Sequence, residues 1–159
     1  MEEGALGYHF SLGYARLPND SRRLPRVQLA ARLFPGQTHL ATAFVVLDTG
    51  AEVSVLDGTI ALQAGWTTVD VVERASAVVP IYGLGSGSPI LGYRHEITGY
   101  VGGHARFAQM KLHVLITLPN VLAFSVLGRS DFFEQVDVTF SERDARLYFR
   151  FRDPTILQS

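Results

Sequence analysis

The sequence predicts an all-β chain carrying one or two short helices. Short apolar runs, many of them alternating with polar residues, recur along the whole chain. Gly, Pro, Asn and Asp separate them, with 15 Gly and 7 Pro in 159 residues. That length fits one domain, and 47% hydrophobic against 18% charged residues is enough apolar material for a core.

Each element follows from its local pattern. Residues 6–17 alternate weakly, and Pro18 to Pro25 reads as an exposed connector. Val27, Leu29, Ala31 and Leu33 alternate, so 26–34 is a strand, and Pro35-Gly36-Gln37-Thr38 is a turn. Leu40 to Leu47 is nearly continuous in apolar residues and suits a buried strand. Asp57 to Ala64 reads as a short helix, with Asp57 as N-cap and Gly65 just past its end. Strands are expected near 67–73, 77–83, 89–100 and 104–117, with Gly102-Gly103 as a two-residue hairpin turn. After a turn at Pro119-Asn120, Val121 to Leu127 is a second apolar strand and Arg129 to Gln135 a helical turn. Val136–Phe140 and Arg146–Phe151 form a last hairpin, and the tail from Pro154 is expected to fray. One domain therefore spans 1–159: an N-terminal arm over 1–25, a core over about 26–151, and a tail over 152–159.

Composition removes several functional classes. A net charge of −1 argues against a nucleic-acid partner. The absence of cysteine excludes disulfides, thiolate nucleophiles and cysteine-ligated metals. No run of 18 apolar residues suggests a membrane span, and the acidic Met1-Glu2-Glu3 start does not read as a secretory signal, so a cytoplasmic protein is expected. The five histidines show no metal-ligand spacing and read as surface or half-buried residues, so neither metal nor cofactor is expected. No Gly-x-Ser-x-Gly elbow is present. The glycines at 83, 85 and 87 precede a β pattern rather than a helix, so they do not read as a phosphate loop. Asp131, Asp137 and Asp144 read as helix-start, strand-flank and turn residues.

Two segments echo each other. Ala43-Phe44-Val45-Val46-Leu47 runs into Asp48-Thr49-Gly50, and Ala123-Phe124-Ser125-Val126-Leu127 runs into Gly128-Arg129, 80 residues later. Each is an apolar strand ending at a glycine-containing turn, which reads as a duplication. A carboxylate at the end of a buried strand is costly to ionise alone. It needs hydrogen-bond donors or a second carboxyl with which to share a proton.

Val46-Leu47-Asp48-Thr49-Gly50-Ala51, the Gly-rich Ile81-Tyr82-Gly83-Leu84-Gly85-Ser86-Gly87, and Val126-Leu127-Gly128-Arg129 occur in an order and spacing that resembles the single-lobed, retropepsin-like aspartic peptidases. The resemblance covers about residues 26–151. It implies a retropepsin-like acid-protease lobe, with Asp48 as the catalytic carboxyl and Thr49, Gly50 and Ala51 as its loop. Tyr82, Gly83, Leu84 and Gly85 would form a substrate-covering flap, whose sequence is closer to that of the two-lobed pepsins. An ion pair between Glu52 and Arg129, beside Gly128, would brace the loop, although retroviral members more often carry Asp at the acidic position.

The chemistry needs two carboxyls on one water, one acting as base and the other as acid. With one Asp-Thr-Gly per chain, the resemblance implies a homodimer hydrolysing a peptide or protein substrate, with Thr49 bonding across to the partner's loop. The alternative is a retropepsin-like dimerisation or peptide-binding module with little or no activity. A third possibility is an enzyme held inactive by residues 1–25.

Overall fold

The computed structural model describes residues 7–83, 87–103 and 105–159. Its strands are β1 (Phe10–Gly13), β2 (Arg26–Arg32), β3 (Ala41–Leu47), β4 (Ser54–Leu56), β5 (Val78–Ile81), β6 (Ile90–Gly102), β7 (Phe107–Ile116), β8 (Ser125–Leu127), β9 (Val136–Ser141), β10 (Arg146–Phe151) and β11 (Leu157–Gln158). Two short helices, α1 (Thr59–Gln63) and α2 (Thr68–Glu73), follow β4. No helix among the described residues is long and apolar enough to cross a membrane.

The larger sheet runs β11-β7-β4-β8-β3-β2-β6-β5, and β6 pairs with β7 as well, so the middle of the sheet closes on itself. Alternation places the core inside that ring. On β2, Val27, Leu29 and Ala31 are buried while Gln28 and Arg32 face water. On β7, Ala108, Met110, Leu112 and Val114 are buried, alternating with the exposed Gln109, Lys111 and His113. A smaller antiparallel sheet, β1-β10-β9, packs Phe10, Phe149 and Phe151 into the same core. The ring centroids of Phe10 lie 5.1 Å from Phe149 and 5.5 Å from Phe151.

Several expectations are corrected. Residues 67–73 are not a strand. Thr67 and Asp70 form a reciprocal cap, the Asp70 carboxylate accepting from the Thr67 N–H at 2.8 Å and the Thr67 hydroxyl from the Asp70 N–H. This cap outweighs the β-branched composition that suggested a strand and starts α2. Gly102 is not part of the β6–β7 turn, because it still pairs with Phe107. The second apolar strand is only Ser125–Leu127, since the N–H groups of residues 120–122 are drawn to the Asp57 carboxylate. Helix α1 has Gly58 at its N-cap, although the Asp57 carboxylate still accepts the Thr59 N–H at 3.0 Å. The tail does not fray. Asp153 caps a turn at Pro154–Ile156, and Leu157 then pairs with Ala108. Finally, β3 is not buried throughout. Phe44 is 43% exposed on its outer face, and Phe124, its counterpart in the echo, is 44% exposed.

Candidate active site

The two echo segments lie side by side. Strands β3 and β8 are parallel, with Val45 facing Ser125, Val46 facing Val126 and Leu47 facing Leu127, so each residue meets the one 80 positions later. Both strands end at the same level, and their two turns are interlocked. The Asp48 N–H donates to the Leu127 carbonyl at 3.0 Å. In return, the Arg129 and Ser130 N–H groups donate to the Ala51 and Glu52 carbonyls, each at 2.9 Å.

Gly128 permits this crossing. A Cβ there would lie 2.6 Å from the Val53 carbonyl oxygen and 2.8 Å from that of Ala51, both backbone atoms with little room to move. Its N–H donates to the Ser54 hydroxyl at 3.0 Å. Asp48, Thr49, Gly50, Ala51, Glu52, Gly128 and Arg129 thus belong to one structure of two interlocked turns.

Asp48 presents an exposed side chain whose Oδ1 accepts the Gly50 N–H at 2.8 Å. That bond holds the carboxylate over its own turn, and Ala51 N–H closes the turn onto the Asp48 carbonyl at 3.1 Å. Thr49 and Gly50 are exposed beside it, and Ala51 is half-buried. The expected Glu52–Arg129 ion pair does not form within the chain. Both residues are exposed, and among the described residues neither has an ion-pair partner. The backbone bonds above make the link that the side chains were expected to make.

Strands β5 and β6 flank the Gly-rich segment as an antiparallel pair, Val78 with Tyr93 and Ile81 with Ile90. Tyr82, next to that last pair, is 73% exposed, and Gly83 has φ +87°, a conformation that favours glycine. Leu84 and Gly85 lie outside the described residues.

Asp57 was not anticipated as a hub. Its Oδ1 accepts the N–H groups of Val121 and Leu122 at 2.9 and 3.0 Å, and its Oδ2 those of Thr59 and Asn120 at 3.0 and 3.1 Å. Burial pushes its pKa up, but the N–H bonds, led by Leu122 and Thr59, outweigh that and hold it below the ordinary carboxylate value. The Asp57 N–H donates to the Ser125 hydroxyl at 2.9 Å. Ser125 replaces the apolar residue of the first copy, Val45, and that break in the echo was the available signal.

No family model matches the chain, and no curated protein matches its sequence. Among solved structures, a retropepsin-like aspartic protease from Rickettsia conorii is similar, with a TM-score of 0.52 at 13% identity over 89% of this chain and 98% of that one. The EIAV protease complexed with the inhibitor HBY-793 aligns with a TM-score of 0.44 at 18% identity over 75% of this chain and 93% of that one. The chain has an all-β, retropepsin-like fold.

Proposed function

We propose that the protein is an aspartic endopeptidase whose active site is shared by two copies of the chain. The observation that carries this reading is the exposed Asp48 carboxylate on a glycine turn, locked by backbone bonds to the equivalent turn at Gly128–Arg129. The fold supports it, as does the exposed Tyr82 beside the β5–β6 pair.

One carboxyl cannot act as base and acid at once, so two copies of Asp48 are required, one from each chain. Two carboxyls about 3 Å apart hold a single proton between them. The ionised one takes a proton from water, which attacks the peptide carbonyl. The protonated one donates to the carbonyl oxygen. Collapse of the tetrahedral intermediate then expels the amine, which takes up a proton as the peptide C–N bond breaks. Tyr82, Gly83, Leu84 and Gly85 are assigned to a flap that covers the extended substrate, and Thr49 to a contact with the partner's loop.

Sedimentation with and without a pepstatin-type inhibitor tests this reading. The expected result is a dimer that binds one inhibitor per two chains. A strict monomer that ignores the inhibitor at the pH of assay would favour a peptide-binding module.

A further inference from the structure

The turn that interlocks with the Asp48 loop contains a strained residue. Asp131 has φ 66° and ψ −44°, close to the rare, strained γ-turn conformation, and it is not glycine. Such a backbone persists only where its surroundings hold it.

Both ends of Asp131 are held. Its carbonyl accepts from Gln135 Nε2 at 2.5 Å. Its Oδ2 lies 2.6 Å from the His113 backbone nitrogen, which donates to it, and 2.6 Å from the His113 ring Nδ1. The other ring nitrogen, Nε2, lies 3.2 Å from Glu96 Oε2 across the β6–β7 ladder. The imidazole therefore spans two carboxylates. A neutral ring has one N–H and leaves one carboxylate facing a lone pair, whereas an imidazolium donates to both.

We propose that His113 and Asp131 are positioning residues for the active-site turn, the His113 side chain holding the strained Asp131 backbone from its seat between Asp131 and Glu96. Its catalytic consequence rests on the peptidase reading above. The brace itself does not.

The turn reaches the Asp48 loop through its neighbours, since Arg129 and Ser130 donate to the Ala51 and Glu52 carbonyls. Other charges also bear on the ring. Lys111 lies 3.9 Å from Glu96, and Arg94 and Arg74 share a hollow with His113. His95 lines the same hollow, but its Nε2 is 2.9 Å from the Val71 carbonyl, so its ring is engaged elsewhere.

Amide hydrogen exchange at Arg129 and Ser130, corrected for intrinsic rates, is the test. Removing either partner should lower protection at both amides roughly fivefold, the worth of one net hydrogen bond. His113→Ala and Asp131→Asn should each show that loss. Asn tolerates positive φ, so that variant removes the charge without adding strain. Glu96→Gln should keep the protection, because the ring still faces Asp131. Wild-type protection in either His113→Ala or Asp131→Asn would overturn the brace. Peptidase activity measured alongside separates the two readings. Lost protection in these variants of a protein that shows no activity would retain the brace and reject the enzyme.

Discussion

Asp57→Asn isolates the hub that ties helix α1 to the loop before β8. The carboxylate accepts four backbone N–H groups, two on each oxygen, at 2.9–3.1 Å. Asparagine keeps one oxygen and turns an NH2 toward the other two donors. Two part-buried N–H groups then lose their acceptor, at up to about 1–3 kcal/mol each. Allowing the loop to relax, the loss should be about 3 kcal/mol. With a urea m-value of about 2 kcal/mol/M, the unfolding midpoint should fall by about 1.5 M with the slope unchanged. The pH dependence should change as well. The Asp57 pKa is depressed in the fold, so its contribution is present above the unfolded carboxylate value, about 3.9, and is lost as pH falls through the folded value. That part of the wild-type acid destabilisation should vanish in the variant. A midpoint within about 0.3 M of wild type would show that the four bonds do not hold the loop.

Three further outcomes follow from the geometry. Gly128→Ala places a methyl 2.6 Å from a backbone oxygen, and overpacking of that kind costs about 1–3 kcal/mol, so urea unfolding should register the loss and peptidase assays a reduced rate. Wild-type stability and rate would refute the crossing described here. His9 Nδ1 accepts the Phe151 N–H at 2.9 Å, and burial, then Arg106 and Arg150, hold its pKa below 6.5. Its contribution to pinning β1 is therefore present above pH 6.5 and lost as pH falls through the folded value, so exchange at Phe151 should quicken on acidification, and His9→Asn, which keeps an acceptor without titrating, should not show it. Arg129→Lys should cost less than about 1 kcal/mol in the isolated chain, since Arg129 makes its link through backbone N–H, and a larger loss on urea unfolding would restore a side-chain brace.

Much of the strand arrangement was legible because alternation survives wherever one face is buried, as in β2, β6 and β7. The echo was read as a duplication only, and the chain pairs its two copies, β3 and β8, residue for residue. Residues 67–73 misled because three valines dominate the composition, whereas a two-residue cap decides the outcome. The brace was misplaced because side-chain charges are visible in a sequence and backbone acceptors are not. Glu52 and Arg129 looked like partners, while the Ala51 and Glu52 carbonyls make the contact. His113 and Asp131 were unremarkable in sequence, since 18 residues separate them and only the packing of β7 against the 129–133 turn joins them.

The central claim is that two copies of Asp48 form one site, and subunit mixing tests it directly. A fixed amount of wild-type chain is allowed to exchange with an equal amount of Asp48→Asn chain, and peptide cleavage is then measured. If each site needs one Asp48 from each chain, half of the wild-type chains pair with an inactive partner and the rate falls to about half. It should continue to fall as more variant is added. A rate that stays constant while subunits demonstrably exchange would mean that each chain acts alone, and the shared site would be contradicted.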